Sequence, residues 1–137
     1  MVEITVNACV DKIAEVVAFV EEQLENMGAG MKAQMQISIA VDELFANIAN
    51  YAYPNGEGTA TVRVEASEDG KKAVITFIDS GVPYNPLEKE DPDITLSAED
   101  RPIGGLGIFM VKKSMDDMIY RYENKKNILS IIKSILP

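Results

Sequence analysis

The stretch Thr59 to Ala66 constrains the fold more than any other part of the chain. Ala60, Val62, Val64 and Ala66 alternate with Thr61, Arg63 and Glu65, and successive side chains of a strand point to opposite faces. One face of this strand is therefore apolar and the other polar. That pattern suits a sheet covered by helices on one side only. Ala73 to Asp79 reads as a more apolar, central strand, joined to the first by a turn at Glu68-Asp69-Gly70-Lys71. Val2 to Val6 reads as a short strand. Met118 to Glu123 and Asn127 to Ile135 read as two more, around a turn from Glu123 to Lys126.

Three segments carry helical spacing instead. Between about Val10 and Met27, the residues Ile13, Val16, Val17, Val20 and Leu24 recur at helical intervals, with Asn7 or Asp11 as cap and Gly28 to Gly30 as the stop. A second helix runs from Lys32 to Tyr51, ahead of the Pro54-Asn55-Gly56 turn. A third covers Gly105 to Met115, with Ile108, Val111 and Met115 on one face. The order β-α-α-β-β-loop-α-β-β predicts an α+β two-layer sandwich, a mixed β-sheet with helices on one face. At 137 residues this is a single domain, 1–137, large enough to bury a real core.

Composition removes whole classes of chemistry. The chain has no histidine, which excludes Ser-His-Asp and Cys-His catalysis and His-ligated zinc. Its one cysteine, Cys9, excludes intramolecular disulfides and multi-cysteine metal sites. Cys9 reads as an inert structural thiol, and a reducing cytoplasm fits. Thirteen Lys and Arg against 22 Asp and Glu give a net charge of −9, which disfavours nucleic acid and anionic membranes as partners. No apolar run approaches the ~18 residues of a membrane helix. The opening residues lack the basic and apolar regions of a secretory signal.

The second helix is the most informative segment. At ~100° per residue, Ile37, Val41, Leu44, Ile48 and Tyr51 fall on one apolar stripe. Gln36, Glu43, Asn47 and Asn50 fall on a polar stripe beside it, flanked by the small Ala40 and Ala46. The stripe faces either a ligand or solvent. Small flanks and the absence of any Lys or Arg between Gln34 and Pro54 favour the ligand.

Asp79 shares a strand face with Ala73, Ile75 and Phe77, where a carboxylate is costly unless hydrogen-bonded. Gly81 follows, permitting close backbone approach or a positive φ; Asp-Ser-Gly is also ordinary turn chemistry. From Ser80 to Ile103 periodicity disappears, and the stretch holds four of the six prolines and the acidic run Glu88 to Asp93. A loop of that length is either functional or an insertion. Arg101-Pro-Ile-Gly-Gly-Leu-Gly107 then enters a helix, whose N-terminal N–H groups and dipole favour an anion. It lacks the Lys-Ser/Thr of a P-loop and does not follow a strand, so it is not a dinucleotide fingerprint either.

Taken in order, Glu-x-x-x-Asn on a helix, strand-Asp-x-Gly, a proline-rich loop and Gly-x-Gly opening a helix resemble the Bergerat-fold (GHKL) ATPases. The resemblance covers about residues 37 to 132. Asp42-Glu43-Leu-Phe-Ala-Asn47-Ile-Ala-Asn-Tyr-Ala-Tyr53 and Arg101 to Lys113 are most similar to the stand-alone anti-sigma-factor serine kinases. The resemblance implies ATP and Mg²⁺ as cofactors, with Asn47 on the metal that bridges the phosphates. It implies Glu43 as general base on a serine hydroxyl, and Asp79 as acceptor for the adenine amino group, with Gly81 giving the base room. It implies that Gly104, Gly105 and Gly107 cradle phosphates, and that Ser80 to Ile103 form the ATP lid. Arg101 is the candidate for the γ-phosphate, against a plain loop arginine.

The implied activity is that of an ATP-dependent serine/threonine protein kinase and anti-sigma factor. It binds a sigma factor and phosphorylates a STAS-domain antagonist, and the resemblance favours a homodimer. The alternative is a nucleotide-gated binding module without phosphotransfer; retention of Glu43 favours the kinase. Two departures from the pattern stand out. The family often has Gly-Thr before its last strand, the threonine supporting the adenine aspartate, where this chain reads Lys126-Asn127-Ile128-Leu129. Asn127 or Ser130 then supplies that support, or it is lost. The first helix also carries Lys12 and then Glu15, Glu21, Glu22 and Glu25, where those kinases engage substrate with a basic residue.

Overall fold

A computed structural model describes residues 1–88 and 106–136. The elements are β1 (Val2–Asn7), a 3-10 turn (Val10–Lys12), α1 (Ile13–Asn26), α2 (Met31–Tyr51), β2 (Thr59–Ala66), β3 (Lys72–Asp79), α3 (Leu106–Ser114), β4 (Asp117–Glu123) and β5 (Lys126–Ser134). The five strands form one sheet in the order β1-β2-β3-β5-β4. The α+β two-layer arrangement is as the sequence predicts. The sheet is not mixed: all four ladders are antiparallel. The correction has a topological cause. The crossover through α3 does bring β4 parallel to β3, but the tight β4–β5 hairpin folds β5 back between them, so no parallel pair is adjacent.

That hairpin turns through Asn124 and Lys125, both left-handed at φ 53° and 62°. Two successive positive φ angles match the right-handed twist of the flanking strands. At the other end of the fold, Gly28 (φ 74°) closes α1. The Ala29 N–H reaches the Leu24 carbonyl at 3.0 Å and the Gly28 N–H reaches that of Glu25 at 3.0 Å. Both are carbonyls that the helix end would otherwise leave without a partner.

The alternation in β2 is realised directly, with Ala60, Val62 and Val64 buried. Register then carries one apolar row across the sheet: Ile4 opposite Val62, Val62 opposite Phe77, Phe77 opposite Leu129, and Leu129 opposite Tyr120. Val16, Val20 and Leu24 of α1, Ile37, Val41 and Phe45 of α2, and Ile108 and Val111 of α3 pack on that face. Phe45 and Phe77 are fully buried, a stabilisation of about 1.5–3 kcal/mol each from area removed from water. The next row out holds Ala60 opposite Asp79 and Asp79 opposite Asn127. Here the core face turns polar, and the site begins.

Candidate functional site

Asp79 ends the central strand and, with parity intact, points its carboxylate to the helix side, 6% exposed. Burial of such a group requires hydrogen bonds, and two donors meet its Oδ1. The Gly81 N–H donates at 2.9 Å and the Asn127 side-chain amide at 2.9 Å. Both donors use the same oxygen, so Oδ2 is the one left to a ligand. Asn127, equally buried, also donates to the Val82 carbonyl at 2.9 Å. Its Oδ1 accepts from the Tyr84 N–H at 3.1 Å and the Tyr120 hydroxyl at 2.5 Å. Of the two residues weighed for this support, Asn127 provides it. Ser130 lies on the opposite face of β5 and pairs with Thr76 at 2.9 Å.

Asp79 and Asn127 line a cavity whose walls are mostly apolar, among them Leu44 and Ile48 of α2, Phe77, Leu129, and the rings of Tyr84 and Tyr120. Burial raises the phenols of Tyr84 and Tyr120 above the ordinary range, so both rings stay neutral at physiological pH. Asn47 brings the α2 polar stripe to the same cavity.

Gly81 has a different reason from positive φ. A Cβ there would lie 2.3 Å from the Ala52 carbonyl oxygen, and the adjacent Val82 N–H donates to that same oxygen at 2.9 Å. Close approach to the end of α2 is what requires glycine. Tyr53 braces the same corner: its hydroxyl donates to the Thr59 carbonyl at 2.6 Å and accepts from the Ser80 N–H at 2.8 Å. Residues 80–88 therefore form a hydrogen-bonded wall, with Pro86 buried in a short 3-10 turn. The remainder of the expected lid, with Arg101, Gly104 and Gly105, lies outside the described residues.

Glu43 stands one turn before Asn47, in an adjoining hollow with Asp42, Gly107 and Met110. Its carboxyl group lies so close over Gly107 that a Cβ there would collide with it. The first turn of α3 and the α2 polar stripe thus meet at Glu43, where the helix dipole favours a carboxylate. Asn47 and Asp79 share one cavity, and Glu43 and Gly107 the next.

The sequence reading missed Tyr53, Tyr84 and Tyr120. Hairpin parity was the available signal for Tyr120: pairing of Tyr122 with Asn127 places Met118, Tyr120 and Tyr122 on the face of Asn127. Cys9 matches its expectation. Its thiol donates to Asp11 at 2.6 Å, and that bond to a carboxylate raises it above the usual thiol range, against nucleophilic use.

An antiparallel sheet, one helical layer and a buried strand-end carboxylate opening on an apolar cavity define an α+β two-layer domain with a built pocket at one end of its sheet. Residues 6–133 match the model of the histidine kinase-like ATPase domain, and the chain belongs to that family. It is similar to the serine-protein kinase RsbW of Bacillus mycoides (strain KBAB4), 29% identical over 107 residues that cover 75% of this chain and 66% of that protein. The serine/threonine-protein kinase BtrW of Bordetella bronchiseptica is 21% identical over 106 residues, 77% of this chain and 74% of that one. The serine-protein kinase RsbW of Bacillus cereus is 30% identical over 97 residues, 68% and 59% respectively. The chain thus spans somewhat under two thirds of the length of the RsbW relatives it matches. Among the described residues, no helix is long and apolar enough to cross a membrane.

Proposed function

We propose that this chain is an ATP-dependent serine/threonine protein kinase and anti-sigma factor, cytoplasmic, that binds a sigma factor and phosphorylates a STAS-domain antagonist of that binding. The observation that carries the reading is the juxtaposition along α2: Asn47 in the cavity of Asp79, and Glu43 one turn away against Gly107. Kinase names among the relatives support the activity. The sigma factor and STAS-domain partners follow from the sequence resemblance.

Asp79 accepts the adenine amino group at Oδ2 while Asn127 and Gly81 hold Oδ1. The apolar walls exclude water from the base. Asn47 offers one amide oxygen, which would help to hold a Mg²⁺ ion arriving with the nucleotide. Such an ion neutralises charge on the phosphates when bound. Glu43 orients the substrate serine and takes its hydroxyl proton as Oγ bonds to the γ-phosphorus and the bond to the ADP oxygen breaks. Gly107 leaves room for that carboxylate at the start of α3, and Arg101, Gly104 and Gly105 are proposed to complete the phosphate end.

The outer face of the sheet supports a homodimer. Val74 opposite Ile132 and Ile78 opposite Ile128 flank the polar Thr76–Ser130 pair on the side away from the helices, and offer apolar surface to a second copy. Incubation of the protein with ATP, Mg²⁺ and a STAS-domain protein encoded beside it tests the reading. Mass spectrometry is expected to find a phosphorylated serine or threonine on that protein. ATP binding without transfer would leave the nucleotide-gated binder instead.

A further inference from the structure

We propose that an exposed apolar row on α2, formed by Met31, Met35 and Ile39 and continued by Met110 of α3, is the docking surface for the protein that receives the phosphate, which meets it with apolar side chains of its own. The proposal rests on the phosphotransfer reading given above.

Residues four apart on a helix lie nearly one above the other, so Met31, Met35 and Ile39 make a continuous row along α2. They are 80%, 61% and 65% exposed, and Met110 is 55% exposed. The opposite face of the same helix, with Ala33, Ile37, Ala40 and Val41, is buried. The row therefore adds nothing to the core. Its lack of charge sets it apart as well. The sequence has 22 Asp and Glu, yet none falls between Glu25 and Asp42. The neighbouring helix α1 shows the ordinary pattern, with Glu15, Glu21, Glu22 and Glu25 all exposed. Single exposed apolar side chains are normal on a surface, whereas a contiguous set marks an interaction site.

Position decides the occupant. Ile39 and Met110 share with Asp42 and Glu43 the hollow in which the Glu43 carboxyl group lies over Gly107. A hydroxyl brought to Glu43 through that hollow comes past Ile39 and Met110, so the protein that bears it rests on them. From there the row leads back along α2 to Met35 and Met31. A second copy of the chain has its own apolar surface on the outer face of the sheet, at Val74, Ile78, Ile128 and Ile132, on the side away from the helices. Methionine also suits a partner that has to leave after transfer, because its unbranched, polarizable side chain repacks readily against a changing surface.

The test follows phosphotransfer from ATP, with Mg²⁺, to the STAS-domain protein encoded beside the chain. The double variant Met31→Gln/Met35→Gln keeps side-chain length and helix propensity, and leaves Ile39 and Met110 beside Glu43 unchanged. Met35 lies about 12 Å before Glu43 along α2, too far to touch the reacting atoms. KM for the STAS-domain protein is expected to rise about fivefold or more, with kcat and ATP affinity within about twofold of wild type. Met31→Leu/Met35→Leu, apolar again, is expected to keep all three within about twofold. A KM within twofold of wild type in a glutamine variant with the wild-type circular dichroism spectrum overturns the docking surface and leaves the kinase reading standing. So does a leucine variant that loses as much as the glutamine one. Peroxide oxidation read by mass spectrometry is expected to modify Met31 and Met35 readily in the free chain, and about threefold more slowly under saturating STAS-domain protein. Protection already present in the dilute free chain would put another part of this chain on the row, and protection that grows with its own concentration would put a second copy there; either overturns the proposal. A wild type that transfers no phosphate overturns the kinase reading and this proposal with it.

Discussion

Substitution Asp79→Asn should do more than weaken binding: it should invert the polarity of the purine edge. The Gly81 N–H and the Asn127 amide both present donors at 2.9 Å to Oδ1. An asparagine at 79 must therefore place its oxygen there and its NH2 group toward the cavity. The reverse orientation would set donors against donors at two buried contacts, each costing about 1–3 kcal/mol. With the oxygen kept in place, both internal hydrogen bonds survive and the fold should lose under ~1 kcal/mol. The ligand sees a larger change. A hydrogen bond to a charged acceptor contributes about 1.5–3 kcal/mol, roughly a 10- to 100-fold loss of ADP affinity at ~1.4 kcal/mol per decade. IDP, whose 6-oxo group accepts from the new NH2, should hold its affinity or gain. Calorimetric titration of both nucleotides, with a thermal melt as control, reads the outcome. Unchanged ADP affinity would remove Asp79 from the site. Equal losses for ADP and IDP would refute the orientation argument.

Three further outcomes test other parts of the structure. Gly107→Ala places a methyl where the Glu43 carboxyl group lies, and since that group ends a flexible side chain, the fold should tolerate it; ADP should bind within about threefold while phosphotransfer falls by ~10-fold or more. Lys125→Gly relieves a left-handed residue at φ 62°, which costs an L-residue about 1–2 kcal/mol, partly offset by the added chain entropy of glycine; a rise in Tm of about 2–4 °C is expected, and no rise would place the turn in another geometry. Burial raises the phenols of Tyr53, Tyr84 and Tyr120 above the ordinary tyrosine value of about 10, so the folded chain keeps protons that the unfolded chain loses, and stability should be level below that pH and fall as pH rises through it. Urea titrations at pH 8 and near 10.5 should show a smaller drop in Tyr84→Phe than in wild type.

Much of the fold was legible because it rests on parity and spacing. The alternation at Ala60, Val62 and Val64 gave a one-sided sheet, and Ile37, Val41 and Leu44 gave the buried face of α2. The mixed sheet was an error of adjacency. Nothing in the residues of β4 and β5 says that their hairpin folds inward, placing β5 beside β3 rather than at the edge. In the site, Asp79 was legible as a carboxylate on an apolar face. Gly81 was ambiguous because close approach and positive φ both demand glycine, and only the position of Ala52 decides. Asn127 and Ser130 are three residues apart on one strand and so face opposite ways; fixing the register of Asn127 against Asp79 settles which one reaches it. The tyrosine contacts depend on segments distant in sequence, Tyr84 and Tyr120 meeting at one amide, and no local pattern encodes that meeting.

Glu43 carries the claim that the chain transfers phosphate rather than only holding nucleotide. Glu43→Gln preserves size and helix spacing but cannot take a proton, and general-base help contributes about 10²–10⁴-fold. The decisive measurement is the single-turnover rate of transfer from γ-labelled ATP to a STAS-domain partner, with ATP affinity measured on the same preparations. The account predicts a rate lower by that order in Glu43→Gln, with ATP affinity within about threefold of wild type. Equal transfer rates in the two proteins, at equal ATP occupancy, would contradict it.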